Sequence, residues 1–472
     1  MPSHPRTHPR RILLVLTLAA FMASLDVFIV NVAFDAIGAD FHGASLANLS
    51  WVLNAYAIVF AAFLVPAGRF TDRYGRRRGF MIGLAVFTAA SIGCAMAGDV
   101  WTLVGFRIVQ AIGAAVLTPA SLGLVIAAAP PEKRTAWVRI WAAAGAVAAA
   151  FGPAVGGVLV HVSWHWVFLV NVPIGVLALV GTWLWVSESR DVTATRNPDV
   201  RGAVLLVASI GALSLGIVEG PSWGWTSART DTAWAVAITA MVGFLVSSAR
   251  HPVPVISKAL MQVRPFAWAN VTALLFAIPF AAALLTNILW MQKVWHYSAI
   301  QTGFGVAPGP MMVPLFAFLA ARLLRRVPVG VIVALGCVVF GAGGLVIAAS
   351  VGAAPDYVGE ILPGWLLGGA GVGLALPNIL SAATADLPAD QGATGSAIVN
   401  MSRQIGTALG VSLLIAVLGT PATYAAAHTA FRHAWWLFAG IAWLGALAAP
   451  FMTPHSHRAG GVGVVEELSA AV

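Results

Sequence analysis

Charge is scarce in this chain. Only 9% of its 472 residues are Asp, Glu, Lys or Arg, while 60% are hydrophobic. Soluble globular proteins carry about 25% charged residues, so these few cannot coat a soluble particle of this length. A mean hydropathy of +0.88 therefore makes lipid part of the expected solvent: an all-α integral membrane protein. Cysteine is nearly absent as well. Cys94 and Cys337 each lie inside an apolar run, which implies neither a disulfide framework nor a zinc site. No G-x-x-x-x-G-K-[ST] phosphate loop occurs, so an ion gradient rather than ATP is the expected energy source. His161 and His165 stand four apart in "HVSWHW" with no third ligand, and neither a metal site nor a cofactor is expected. No Ser/His/Asp set or carboxylate pair shares a membrane depth, which leaves a membrane enzyme without support. The formal charge of +9 comes in short groups between apolar runs rather than on one soluble face. Nucleic acid is excluded as a partner on that ground.

What is present is a series of long apolar runs. A helix needs about 20 apolar residues to cross a bilayer, and on that criterion about fourteen spans are expected, near 12–33, 50–70, 79–98, 101–127, 135–160, 166–187, 202–219, 232–249, 267–290, 303–321, 329–350, 358–380, 395–418 and 433–452. The basic start, "MPSHPRTHPRR", resembles the n-region of a signal peptide. The run after it is longer than a typical h-region, however, and is read as a retained first span. Arginine distribution tests the count. With the N-terminus in the cytoplasm beside Arg6, Arg10 and Arg11, cytoplasmic loops hold Arg69, Arg73, Arg76, Arg77, Arg78, Lys133, Arg134, Arg139, Arg190, Arg196, Arg201, Arg250, Lys258, Arg264, Arg322, Arg325 and Arg326. Arg458 then lies on a cytoplasmic C-terminal tail, and the opposite loops hold only Arg229, Lys293 and Arg432. Both termini are thus expected in the cytoplasm of a multi-pass cell-membrane protein. Tryptophans such as Trp51, Trp101, Trp164, Trp166, Trp223, Trp225, Trp435 and Trp436 fall near the span ends, as interfacial belts do.

Three ionisable residues break the membrane rules: Asp26, Arg107 and Arg403. Such groups mostly face a bundle interior or a water-filled cavity and mark ion or substrate paths. Arg107, Gln110, Ala114 and Thr118 share one helical face, as do Ser396, Asn400, Arg403 and Thr407 with Gln404 alongside. These stripes either line water or serve as interhelical hydrogen-bond glue. For Asp26, a titrating carboxyl and a structural ion pair with an arginine both remain open. In "AAAGAVAAAFGPAVGGVLV", Ala148, Gly152 and Gly156 form a small-residue ridge and Pro153 bends the helix, which suits either a sliding element or static packing. The loop "GRFTDRYGRRRG" sets Gly68, Asp72, Arg73, Gly75 and Arg76 in one tight turn. Glycines and an aspartate are more than a topogenic run needs, and a cytoplasmic latch is expected there.

Taken together, "GRFTDRYGRRR", "LDVFIVNVAF", "RIVQAIGAA", "GPAVGG", "WHWVFLVNVPIG" and "VNMSRQIGTALG" occur in an order that resembles the major facilitator superfamily, specifically its fourteen-span drug:proton antiporter branch. The resemblance implies two six-helix bundles plus two inserted spans, and transport by rocking about a central cavity. The expected units are 1–190, 191–262 for the inserted spans, 263–455, and a tail at 456–472. It further implies proton coupling by Asp26 with Arg107. A substrate cavity is expected near Asn31, Tyr56, Gln110, Asn400, Arg403 and Gln404, gating at the Gly68–Arg76 loop, and a helix bend at Gly152, Pro153, Gly156 and Gly157. Phe28, Asp35, Ala111 and His165 depart from the family pattern, and the second half carries no acid deep in a span. The expected function is proton-driven efflux of small amphipathic compounds by a monomer that needs no cofactor. The alternative is a metabolite facilitator or exporter of the same fold without multidrug specificity or without proton coupling.

Overall fold

The computed structural model describes residues 9–42, 44–191, 196–324, 326–388 and 391–454. The expected roles of Arg6, Arg325, Arg458 and the 456–472 tail fall outside the described residues. Fourteen helices are long and apolar enough to cross a membrane. In the first half these are α1 (Pro9–Asp40), α2 (Leu46–Tyr74), α3 (Arg76–Ala95), α4 (Val100–Ala128), α5 (Pro131–Val162) and α6 (Trp166–Trp185). Then come α7 (Val200–Trp223) and α8 (Ala228–Arg250). The second half has α9 (Arg264–Val294), α10 (Ala299–Arg322), α11 (Val329–Ser350), α12 (Tyr357–Ala385), α13 (Gly392–Leu418) and α14 (Tyr424–Met452). No strand occurs among the described residues, as expected where lipid offers backbone groups no partner and a helix satisfies its own.

The helix ends are fixed by residues the hydropathy pattern does not weigh. Ser45, Asp99, Asp199, Ser227 and Thr423 each cap the helix that follows, and Ser298 and Gln301 form a capping box on α10. Asp99 lies outside the membrane-spanning segment; the Thr102 hydroxyl and the backbone donors of Thr102 and Trp101 hold its carboxyl below the usual range. Gly75, at φ 124°, turns α2 directly into α3, a backbone region that favours glycine. The fourteenth span begins at Tyr424, nine residues before its expected start at 433. His428, Arg432 and His433 dilute the hydropathy there, while the Thr423 cap starts the helix regardless.

Packing sorts twelve of the fourteen helices into two bundles with one pairing scheme. In the first, α1 lies on α5 and α6, α2 on α4, and α3 on α4 and α6. In the second, α9 lies on α13 and α14, α10 on α12, and α11 on α12 and α14. An internal repeat of helix pairings is thus plain in the structure. Two seams join the bundles, α2 against α13 and α5 against α10, and the inserted α7–α8 pair rests through α7 along the first seam. Asp199, buried, accepts hydrogen bonds from Gly202 N at 2.7 Å and Ser247 Oγ at 2.9 Å, which ties the inserted helices together at one end.

Candidate functional site

Asp26 sits in the middle of α1, fully buried, yet its carboxylate accepts from three side-chain donors. Arg107 Nη1 approaches Oδ2 at 2.5 Å, while Gln110 Nε2 and Asn171 Nδ2 each donate to Oδ1 at 2.9 Å. Arg107 is held in turn by the Val52 carbonyl at 3.1 Å, by Gln110 Oε1 at 2.6 Å and by the Tyr56 ring, 4.1 Å beneath its guanidinium. Ser91 Oγ accepts from Gln110 Nε2 at 2.9 Å and donates to the Phe87 carbonyl. Five helices, α1 to α4 and α6, therefore converge on one ion pair. A buried charge is tolerated only when paired and hydrogen-bonded in this way.

Of the residues singled out in sequence, the structure brings Asp26, Arg107, Gln110 and Tyr56 into this cluster. It adds Asn171 and Ser91, which the sequence reading assigned no role. Asn171 lies in "WHWVFLVNVPIG", so its place in that motif was the available signal. Ser91 carried none, because a lone serine in an apolar helix ordinarily bonds its own i−4 carbonyl. Asn31, also buried, stays outside the cluster and returns its amide to Val27 O at 2.8 Å.

In the second bundle, Asn400 Oδ1 accepts from Arg403 Nη1 at 3.0 Å, and Gln404 is half-buried one residue on. The face these residues occupy follows from what the rest of α13 touches. Gly406 and Gly410 press against the α9 backbone at Leu274 and Ile278, Ser402 donates to Asn270 of α9, and Ser412 accepts from Asn54 of α2. At 3.6 residues per turn the Ser396–Asn400–Arg403–Thr407 stripe is left on a face that meets neither of these partners, and its residues are half-buried.

The glycine motif of α5 works on two sides. A Cβ on Gly152 would meet Phe28, and one on Gly156 the Ile29 backbone of α1. Pro153 and Gly157 face α10 instead: the Pro153 carbonyl lies where a Cβ on Gly303 would sit, and the Ala299 carbonyl where one on Gly157 would. This close approach joins the bundles near the end that carries the α1–α2 and α9–α10 loops. Three polar links cross at the same end: Asn54 Nδ2 to Ser412 Oγ at 3.0 Å, Gln292 Nε2 to Val32 O at 3.2 Å, and Lys293 Nζ to Asp35 Oδ1 at 2.6 Å. At the opposite end the charged segment, expected as a loop, is instead the last turns of α2 and the first of α3 joined at Gly75, and it stays within its own bundle and the linker after it. Arg76 pairs with Asp72 at 2.7 Å, Arg73 donates to Asn197, and Glu188 accepts from the Arg77 and Arg78 backbone N–H groups at the start of α3. Gly68 approaches Pro119 of α4. Among the described residues no group of three or more His, Cys, Asp or Glu is placed to hold a metal ion.

The family model described as Major Facilitator Superfamily matches residues 16–411. The chain belongs to the major facilitator superfamily. As a member it is a multi-pass membrane transporter rather than an enzyme, and its fourteen spans accord with the drug:proton antiporter branch, as do its relatives. A tetracenomycin C resistance and export protein of Streptomyces glaucescens is 30% identical over 421 residues, covering 87% of this chain and 76% of that one. A methylenomycin A resistance protein of Bacillus subtilis is 31% identical, covering 92% and 93%. A cephamycin export protein of Amycolatopsis lactamdurans is 34% identical, covering 92% and 90%. Among solved structures, the inward-open xylose transporter of E. coli superposes with a TM-score of 0.65 at 14% identity, over 95% of this chain and 97% of its own. At that identity the likeness shows the major facilitator fold alone.

Proposed function

We propose that this transporter exports small amphipathic organic compounds across a bacterial plasma membrane in exchange for protons, as a monomer, with Asp26 carrying the proton. The observation that supports this most directly is the buried Asp26–Arg107 pair. Arg107 has alternative acceptors in Val52 O and Gln110 Oε1 and a ring beneath it, so the carboxyl can be neutralised without stranding the arginine. Desolvation and a neighbouring cation pull a carboxyl's proton affinity in opposite directions. Rocking that changes either one turns conformation into proton uptake or release. The relatives named for drug or antibiotic resistance and export favour outward transport.

Each unit takes a part in this reading. Residues 1–190 hold the proton site and residues 263–455 the other wall of the cavity, which Asn31, Asn400, Arg403 and Gln404 line. Residues 191–262 brace the α2–α13 seam. The termini and the Gly68–Arg76 loop face the cytoplasm. All polar links between the bundles among the described residues lie at the opposite, outer end, and so does the Gly157–Gly303 approach. The state described is therefore closed at the outer end, and the Asp72–Arg76 pair acts as a latch within one bundle.

The test is transport into inverted membrane vesicles over a panel of drugs and metabolites, with proton release recorded. Asp26→Asn should abolish gradient-driven uptake while leaving substrate counterflow and expression intact. Full active transport by that variant removes Asp26 from the mechanism. Wild-type transport indifferent to the pH gradient makes the protein a facilitator instead.

A further inference from the structure

One membrane-embedded cation is left unneutralised by the protein. Arg403 Nη1 donates to Asn400 Oδ1 at 3.0 Å, and among the described residues no carboxylate lies within 4.0 Å of its guanidinium. The contrast with Arg107, paired with Asp26 at 2.5 Å, is sharp. The described carboxylates of the second bundle, Asp356, Glu360 and Asp386, all lie at or beyond the ends of α12. Glu360 is already engaged with the Gly352 backbone N–H at 2.7 Å.

The surroundings orient this arginine. Asn400 anchors its own amide on Ser396 O at 3.0 Å, so its Oδ1 points along the helix to Arg403, and the Thr407 hydroxyl caps the Arg403 carbonyl at 3.1 Å. A guanidinium has five N–H donors in a planar fork, and this one spends a single protein bond. What remains matches the two oxygens of a carboxylate. In the proposed reading this half-buried face borders the space between the bundles, where a compound in transit would pass. A charge held in the membrane interior is costly until it is paired, and an amide completes it only partly.

We infer that Arg403, oriented by Asn400, is the anchor for an anionic group on the transported compound, so that the substrate class is organic anions, carboxylates foremost. The inference rests on the export reading for its location in the transport path, but the preference itself needs no gradient. A cationic compound meets an uncompensated positive charge here, and a neutral one leaves it unpaired.

The experiment uses the full chain in lipid nanodiscs and three probes on one ring system: anthracene carboxylate, anthracene carboxamide and an anthracenylmethyl trimethylammonium. Equilibrium binding should favour the carboxylate over either of the others by about tenfold or more, the discrimination expected of a hydrogen-bonded ion pair. Arg403→Gln should remove that preference, so that the carboxylate binds no better than the carboxamide, and Arg403→Lys should restore part of it. The wild-type order stands as a test even if a variant misfolds. Equal binding of the three probes, tighter binding of the ammonium, or binding of none overturns the inference. In proteoliposomes, loss of pH-gradient dependence with the anion preference kept would sink proton coupling and leave this assignment standing.

Discussion

The carboxylate of Asp26 owes its place in the membrane to three side chains from two other helices, and the order in which they can be removed says what each one does. Asn171 donates to Oδ1 alongside Gln110, and its other hydrogen bond is to Ser91 Oγ at 3.4 Å, with none to Arg107. Asn171→Leu should therefore leave the ion pair formed but cost about 1.5–3 kcal/mol, the range for a hydrogen bond to a charged group, seen as a lower thermal unfolding temperature in detergent. Arg107→Lys should behave differently. An ammonium is a point charge and cannot reach Asp26, Gln110 and the Val52 carbonyl in one plane, so transport should fall steeply, by about tenfold or more, with charge conserved. The Asp26–Arg107 pair was legible in sequence because ionised groups inside apolar runs carry a large energetic penalty and so stand out. Asn171 and Ser91 were not, since small polar residues in a membrane helix commonly satisfy themselves on the preceding turn.

Whole helices carry the next layer of meaning. The expected spans all appear, because twenty-residue apolar runs have few alternatives in lipid. Their pairings could not be read. Asn54 and Ser412 are 358 residues apart and Lys293 and Asp35 are 258 apart, beyond the reach of any periodicity. The α5 motif was legible as a small-residue ridge, but its division into a face for α1 and a face for α10 needed the partner glycine, Gly303. A larger side chain at that position has no room against the Pro153 carbonyl. Gly303→Val should wedge the α5–α10 seam open at its outer end, slow export, and raise labelling by an impermeant thiol reagent of a cysteine placed at Val160, half-buried near the same end of α5. Normal export and no added labelling would show that the seam stays shut through the cycle.

At the scale of the molecule, two bundles with matching helix pairings and an α7–α8 brace give two packed halves, the arrangement the proposed rocking requires. The proposed orientation makes a plain forecast. A cysteine at Arg229 should react with an impermeant maleimide on intact cells, and one at Arg134 only after permeabilisation, both residues being exposed. The reverse pattern would invert the transporter. Cys94 and Cys337 are buried and should contribute little background. If the cargo is an anion, its departure from a cell held negative inside is itself downhill, by about 2.3 kcal/mol for each charge per 100 mV. Exchange of one anion for one proton then moves two charges in the same electrical sense, and export should rise with membrane voltage at fixed pH gradient.

Asp35, where the family pattern has proline, takes on a particular meaning at this scale. Its bridge to Lys293 joins the two bundles at the outer end, and both side chains are about two-fifths exposed, at 41% and 42%. An exposed pair contributes about 0.2–1 kcal/mol and is screened by salt. Asp35→Lys should loosen outer closure and Asp35→Lys with Lys293→Asp restore it, read as the labelling rate of an outer cysteine. Salt in the surrounding fluid should act on the same clasp, because dissolved ions reach it directly. Raised salt outside should therefore speed labelling of that outer cysteine, and a rate indifferent to salt would show that the clasp takes no part in closure.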